Sequence, residues 1–205
     1  MHPNPAFRQT PDEACLAFAR AQSFGLLAIS TEAAPLISHV PFRLSDDGQS
    51  AELHLVRSTL ITRAARAPMQ ARLAVQGPHG YVSPDWYETA DQVPTWNYVA
   101  AHLIGRLERL PDGDLPAILE RLSEQFEQQL APKPVWKMSK VSDDALAKML
   151  RQIVPFRLHI EAVEGTWKLG QNKPESARLA AADALAESPI GQETAALASL
   201  MRGPD

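Results

Sequence analysis

The sequence contains a single cysteine, Cys15, and its aromatic residues make up only 6% of the chain. One cysteine excludes an internal disulfide, so we expect an intracellular, cytoplasmic protein. No apolar run approaches the roughly 20 residues that a transmembrane helix needs. The first residues lack the basic and apolar regions of a signal peptide, so we expect neither export nor membrane insertion. The formal net charge of −4 argues against broad attraction to nucleic acid.

Several common binding motifs are also missing. The chain has no Gly-x-Gly-x-x-Gly fingerprint and no P-loop, so a Rossmann-type or P-loop nucleotide site is not expected. The histidines after the N-terminus are scattered, with no pair at helical spacing, and we therefore expect no metal site. These histidines are His39, His54, His79, His102 and His159.

Against this background, one basic segment stands out. Residues 53–84 contain four arginines and neither a lysine nor an acidic residue. Arg57, Ser58 and Thr59 follow a predicted strand and precede a predicted short helix, where free backbone N–H groups favour an anion. The pattern predicts a phosphate site. The alternative is that Ser58 only caps the helix and Arg57 is a solvated edge residue.

Aromatic and amide side chains follow directly. Two of the four tryptophans and all three tyrosines fall within residues 81–98, among stiffening prolines. The segment predicts a wall for a planar ligand, and an aromatic core under a loop is the alternative reading. A third cluster, residues 167–173, carries two lysines and two amides in a predicted turn, which either cap the turn or close a ligand site.

The hydrophobic pattern predicts about six strands joined mostly by short turns, with peripheral helices. We expect strands near residues 24–30, 36–44, 51–57, 72–76, 96–107 and 156–164, with a tight turn at Gly77–Gly80. Gly105 is expected to mark a bend or bulge. The fold class is mainly β with peripheral helices (α+β), arranged as an antiparallel barrel. We expect residues 1–173 to form the barrel domain and residues 174–205 a helical extension packed on the barrel or on a dimer.

The chain resembles the Pai-type (PaiB-like) family of FMN-binding negative transcriptional regulators. The resemblance rests on blocks distributed from residue 24 to residue 178, the most specific of which are Gln76–Tyr87 and Pro94–Tyr98. Further matching blocks are residues 24–27, 39–41, 54–57, 153–156 and 164–173. The resemblance implies a split β-barrel like that of pyridoxamine-phosphate oxidases and flavin reductases.

The resemblance also implies a homodimer with FMN at the subunit interface. Arg57, Ser58 and Thr59 would then hold the phosphate, while the other residues lie near the flavin ring or close the pocket. These other implied residues are His54, Gln76, Tyr81, Ser83, Trp86, Trp96, Asn97, Lys168, Gln171 and Asn172. If the protein is an enzyme, the resemblance implies an FMN-dependent oxidoreductase with a small acceptor.

The chain departs from the family pattern at several positions. Thr59 replaces an expected asparagine, Leu53 and Gly170 replace an expected glycine and serine, and Lys173 replaces an expected arginine. If the expected glycine gives the cofactor room, the larger side chain of Leu53 would weaken FMN binding.

Two alternative functions stay open. One is direct DNA binding without flavin, which the net charge does not support. The other is a haem-binding split barrel with His54 or His159 as axial ligand.

Overall fold

The structure is a computed structural model that describes residues 1–203. The chain divides into two compact units. We call Leu16–Val75 together with His102–Val163 the barrel unit, and Met1–Cys15, Gln76–Ala101 and the chain from Glu164 onward the helical unit. Among the described residues, every helix is too short or too polar to cross a bilayer.

Both units contain helices and strands. The α-helices of the described residues are α1 Asp12–Gln22, α2 Leu60–Ala64, α3 Leu115–Glu127, α4 Asp143–Leu150, α5 Glu175–Ala186 and α6 Thr194–Arg202. The strands are β1 Phe24–Ile29, β2 Leu36–Leu44, β3 Ser50–Val56, β4 Met69–Val82, β5 Thr95–Arg109, β6 Ile153–Lys168 and β7 Gly191–Gln192. Strands β4, β5 and β6 contribute residues to both units.

The barrel unit is a closed six-stranded antiparallel barrel. Its strand order is β1-β2-β3-β6-β5-β4, and β4 pairs back to β1 with Leu26 opposite Ala74. Strands β3 and β6 pair from Ser50–His159 to Val56–Ile153. Because alternate residues point inwards, the interior is filled by large aliphatic and aromatic side chains such as Leu53 and Phe156. This confirms the predicted mainly β fold class.

The helical unit has a different core, made mainly of small side chains on α5 and α6. Alanines at 177, 181, 182 and 198 are buried against Val82 and Tyr87. Pro174 stands immediately before α5, where its fixed φ suits a helix start. Helices α5 and α6 are separated by a short segment that contains β7.

Two strands are longer than the sequence pattern predicts. The tight turn predicted at Gly77–Gly80 is wrong, because these residues continue β4 and pair with β7 through His79–Gln192 and Gly80–Gly191. A side chain at Gly191 would meet the His79 carbonyl oxygen at 2.3 Å, so only glycine lets the two segments pair this closely. Strand β6 likewise runs on to Lys168.

Gly105 lies inside β5 at a close approach between strands. An added Cβ would lie 1.8 Å from the His159 carbonyl oxygen on β6, so the two backbones meet where only glycine fits. The boundary predicted at residue 173 stays a prediction, and the residues after it belong to the helical unit together with residues 76–101.

Candidate functional site

An aromatic face forms on neighbouring strands of the helical unit. His79 and Tyr81 point to the same side of β4 because they are two residues apart. The Trp96 ring on β5 lies 6.0 Å from the His79 ring and 6.3 Å from the Tyr81 ring, between centroids. The Gln76 amide nitrogen lies 3.0 Å from His79 Nδ1. Trp96 is 46% exposed, so its indole is available to a ligand.

A small cavity of about 140 Å³ lies in the same unit. We call it the lysine cavity, because its chemistry is set by the ammonium groups of Lys168 and Lys173. Its remaining walls are apolar or uncharged and comprise Phe7, Tyr87, Val93, Thr95, Asn97, Gly170 and Asn172. Within residues 1–203, no carboxylate lines it.

Lys168 is held by uncharged acceptors. Its ammonium donates to the Thr95 hydroxyl and, at 2.6 Å, to the Trp96 carbonyl oxygen. It also lies 6.0 Å from the centre of the Phe7 ring. Burial lowers the pKa of Lys168, and the neighbouring charge of Lys173 lowers it further. Lys168 thus lies beside a second cation, in a cavity that no carboxylate of residues 1–203 lines.

Lys173 faces the cavity from the turn after β6. Its ammonium donates to the Gln92 side-chain oxygen at 2.6 Å and lies 5.3 Å from the centre of the Tyr87 ring. Burial raises the pKa of Tyr87, so its phenol stays neutral at physiological pH. The buried Asn97 amide donates to Met201 Sδ at 3.4 Å.

The turn that presents Lys173 depends on Gly170 and Gln171. Gly170 has φ +81°, a left-handed conformation that explains glycine at this position, and its carbonyl accepts from the Lys173 amide at 2.9 Å. The Gln171 side chain donates to the carbonyls of Ala6 and Trp167 and accepts from the Leu169 amide. It therefore fixes both the turn and the N-terminal segment. A flavin contact by Gln171 stays a prediction.

Ser83 and Trp86 lie at the short helical turn Pro84–Tyr87. Ser83 occupies its N-terminal position, and its carbonyl accepts from the Trp86 amide at 3.2 Å. The Trp86 indole is partly buried against the core of the helical unit. Trp86 therefore matches the alternative of an aromatic core, whereas Trp96 is exposed and its role in a ligand wall stays a prediction.

Arg57 in the barrel unit is fixed by several acceptors. Its Nε donates to the Arg151 carbonyl at 2.9 Å, and its Nη2 donates to Asp112 at 2.9 Å and to the Ile153 carbonyl at 3.2 Å. Asp112 also pairs with Arg109 at 3.1 Å. The hydrogen bond from Arg57 is the main cause that lowers the pKa of Asp112. Two guanidinium groups thus share one carboxylate, which leaves a local net charge of +1.

The two hydroxyls after Arg57 differ in their roles. Thr59 is the N-cap of α2, where its oxygen accepts from the Thr62 amide at 3.4 Å. Ser58 is exposed and does not cap the helix. The structure therefore places Arg57, Ser58 and Thr59 together, with the capping role falling to Thr59.

His54 and Leu53 point to opposite faces of β3. Leu53 is fully buried in the barrel core, so the departure at this position fills the core of the unit. His54 Nδ1 is buried without a hydrogen-bond partner among the described residues, and burial lowers the pKa of its imidazole. The other haem-ligand candidate, His159, lies 2.7 Å from Glu108 through its Nε2.

Several residues of the lysine cavity were not in the predicted set. Thr95, Lys173, Tyr87 and Phe7 line it, and only the first three lie within the segments that the sequence singled out. Phe7 joins them through the N-terminal segment, which no local pattern predicts. The helical unit thus offers an exposed indole and polar donors, and the barrel unit offers the oriented guanidinium of Arg57.

Comparison with known proteins identifies the family. The family model described as "Putative FMN-binding domain" matches residues 1–162. The chain belongs to this FMN-binding family. It is also 30% identical over 172 residues to the Protease synthase and sporulation protein PAI 2 of Bacillus subtilis, with 83% of this chain and 82% of that protein covered. The predicted PaiB-like resemblance is confirmed, and so is FMN as the cofactor of the family.

Solved structures with a similar fold support the barrel architecture. The FAD and haem binding protein of Mycobacterium smegmatis matches with a TM-score of 0.58 at 16% identity, covering 78% of this chain and 73% of that one. The flavocytochrome Anf3 of Azotobacter vinelandii matches with a TM-score of 0.56 at 13% identity, covering 82% and 72%. At these identities the likeness concerns the fold, and it confirms the predicted split barrel.

Proposed function

We propose that this FMN-binding protein uses its flavin for electron transfer or redox sensing, and we keep Trp96 as a predicted contact of a flavin ring and Arg57 as a predicted contact of a flavin phosphate. The observation that carries the proposal is the exposed Trp96 indole, flanked by the rings of His79 and Tyr81. An indole face provides stacking area for a flat heterocycle at low conformational cost. The other predicted contacts are His54, Ser58, Thr59, Gln76, Ser83, Trp86, Asn97, Lys168, Gln171 and Asn172.

The Arg57 group supports phosphate binding. Contacts to Asp112, Arg151 and Ile153 hold the guanidinium in one orientation before any ligand arrives. The excess positive charge left by Arg57 and Arg109 around one carboxylate favours an added anion. Charge-assisted hydrogen bonds from a fixed guanidinium to phosphate are among the stronger polar contacts in proteins.

Bound flavin supplies reversible transfer of electrons or hydride, and the residues of this chain bind it and shape its surroundings. Burial lowers the pKa of His54 and encloses its Nδ1, so a ligand would reach this neutral imidazole only at its other ring nitrogen. The single cysteine is buried, so neither a thiol nor a disulfide is available as a second redox group on the described surface. We place this activity in the cytoplasm, where it would serve metabolism or regulation of transcription.

A homodimer is part of the proposal. Val56 and Leu60 expose their apolar side chains on either side of residues 57–59, and Phe24 and Ile37 of the same unit are also exposed. A second copy covering Val56 and Leu60 would bring the subunit interface to the phosphate-binding residues. Leu60→Glu should then shift the protein to monomer in sedimentation experiments and weaken FMN binding. A dimer unchanged by this substitution would remove the interface from this face.

The binding site is tested by comparing FMN with riboflavin, which lacks the phosphate. We expect Arg57→Ala to weaken FMN binding by about 1.5–3 kcal/mol and to leave riboflavin binding nearly unchanged. Trp96→Ala should weaken both ligands by about 1–3 kcal/mol, because stacking concerns the ring alone. Affinity is measured by quenching of flavin fluorescence.

Two control variants remove an arginine and a tryptophan that lie outside the set of predicted flavin contacts. Arg63→Ala removes an exposed arginine of α2, and Trp136→Ala removes a partly buried indole of the barrel unit. Both should bind FMN as the wild type does. Equal FMN and riboflavin affinities in the wild type would contradict a phosphate site at Arg57, and a silent Trp96→Ala would contradict the ring position.

A further inference from the structure

The lysine cavity carries charge that its own walls do not neutralise. The ammonium groups of Lys168 and Lys173 both line it, and among residues 1–203 no carboxylate does. Several cations elsewhere on the described chain face carboxylates directly, as Arg57 faces Asp112 at 2.9 Å. Two positive groups that share a partly buried space repel each other and are poorly hydrated. An anion in the cavity would relieve both costs.

The hydrogen bonds of the two lysines leave donors for such an anion. Lys168 donates to the Thr95 hydroxyl and the Trp96 carbonyl, and Lys173 donates to Gln92. An ammonium group has three N–H donors, so one remains on Lys168 and two remain on Lys173. The Asn172 amide lines the same space. The uncharged acceptors thus orient the ammonium groups without neutralising them.

The lowered pKa of Lys168 agrees with this picture. Its first cause is burial and its second is the charge of Lys173, so no neighbour compensates either effect. The size of the cavity limits its occupant. At about 140 Å³ it is well below the roughly 300 Å³ at which pockets for drug-sized ligands begin, and it suits a headgroup better than a three-ring flavin.

We propose that the lysine cavity is an oxyanion site, in which Lys168, Lys173 and Asn172 bind the phosphate or carboxylate group of a small molecule other than the flavin. The aromatic faces of Phe7 and Tyr87 beside the ammonium groups would pack against the carbon skeleton of that molecule. Residues 168–173 lie beyond the segment that matches the FMN-binding family model. The two cavity lysines thus come from outside that segment, while the aromatic walls Phe7 and Tyr87 lie within it.

The inference shares Lys168 and Asn172 with the proposed flavin site and rests on it to that extent. The two are separable because the anion and the flavin can be titrated independently. The probes are inorganic phosphate and acetate, added to flavin-free and FMN-loaded protein at constant ionic strength and followed by calorimetry. We expect saturable binding of at least one anion, and the stronger of the two identifies the headgroup as phosphate or carboxylate.

Substitutions of the two cavity lysines test whether the anion binds in the lysine cavity. Lys173→Gln removes the positive charge while keeping a polar, slightly shorter side chain, and it should weaken anion binding about ten- to hundredfold, as expected for loss of one charge-assisted hydrogen bond. Lys168→Gln should have a similar effect. Lys148→Gln, an exposed lysine of α4 in the barrel unit, is the control and should change nothing. Equal anion affinities in the wild type and in Lys173→Gln would overturn the proposal.

Competition separates this inference from the proposed function. If FMN displaces inorganic phosphate and riboflavin does not, the cavity holds the flavin phosphate, and the proposal of a second ligand is overturned while flavin binding stands. If phosphate binds equally well before and after FMN loading, the second site is supported. Absence of saturable anion binding to the wild type overturns the inference directly. If FMN fails to bind while an anion does, the proposed function fails and the oxyanion site stands.

Discussion

The ion-pair networks of the barrel unit and the lysine cavity of the helical unit differ in whether their cations face carboxylates. In the barrel unit, Glu52 and Asp112 each bind two arginine side chains, so every cation of these networks faces a carboxylate and each network keeps a charge of +1. In the helical unit, Lys168 and Lys173 point at uncharged acceptors. Paired charges stabilise a framework, whereas unpaired cations cost stability and are retained for a ligand. The arginines of the barrel unit, including the proposed phosphate contact Arg57, are thus paired with carboxylates, whereas no carboxylate among residues 1–203 lines the lysine cavity.

The hydrophobic cores of the two units also differ, in the size and flexibility of their side chains. The barrel interior consists of large side chains packed between closely spaced strands, and at Gly105 the packing leaves no space even for a methyl group. The helical core is made largely of alanines, with the flexible side chains of Leu185 and Met201 among them. A core with flexible side chains can adjust to small changes, and a strand backbone cannot.

The largest effect should come from adding one methyl group to β5. Gly105→Ala would place a Cβ 1.8 Å from the His159 carbonyl, and relief requires β6 to move. We expect a loss of about 4 kcal/mol or more in the free energy of unfolding, or failure to fold. Denaturant unfolding followed by circular dichroism measures it.

Gly80→Ala is the matched control in the helical unit. Gly80 is also a buried strand glycine, but its nearest neighbour would be Leu185 Cδ1 at 2.8 Å, the end of a flexible side chain. We expect a change of about 1 kcal/mol or less. Equal losses in the free energy of unfolding for Gly105→Ala and Gly80→Ala would contradict the difference between a rigid barrel and an adjustable helical core.

A smaller effect should follow from removing the carboxylate of Glu52. Its side chain is only 11% exposed and receives hydrogen bonds from Arg121 at 2.9 and 3.0 Å and from Arg157 at 3.0 Å. Glu52→Ala leaves two half-exposed arginines facing each other, and we expect a loss of about 2–3 kcal/mol in the free energy of unfolding.

Asp46→Ala provides the comparison for a surface pair. Asp46 binds Arg43 at 3.2 Å with 92% of its side chain exposed, so its removal should cost about 0–1 kcal/mol. If Glu52→Ala costs no more than Asp46→Ala, the charge networks of the barrel unit are not part of its framework.

The smallest effect is a pH dependence that arises from His54. Burial lowers the pKa of His54 in the folded protein, so the unfolded chain, with an ordinary value of about 6.5, takes up a proton first as pH falls. Stability contributed by neutral His54 is therefore present above pH ~6.5 and is lost below it, by at most about 1.4 kcal/mol per pH unit.

Unfolding of the flavin-free protein between pH 7 and pH 5 measures this slope. His54→Gln should flatten it, whereas replacement of the exposed His39 by glutamine should leave it intact. An unchanged slope in His54→Gln would show that other groups produce the pH dependence. The pH titration thereby tests whether the unpaired Nδ1 is maintained in the neutral form.

The sequence was informative where local patterns are strong. Alternating side chains identified β3 and β6, and the turn-rich connections between strands pointed to an antiparallel barrel. Strand ends were predicted less well, because β4 continues through Gly77–Gly80 only by pairing with β7 far along the chain. A glycine-rich segment has no strong preference of its own, and its partner determines its conformation.

The sequence by itself determined the mainly β character, the family and the aromatic, cationic and amide residues available for a ligand, because these depend on residue types and local spacing. Tertiary structure decided which of those residues serve the fold and which remain available. It assigned Trp86 to a core and left the Trp96 indole exposed, and it brought Phe7 to Lys168 across most of the chain. Such contacts join segments distant in sequence, and long-range packing and hydrogen bonding select them where local propensity cannot.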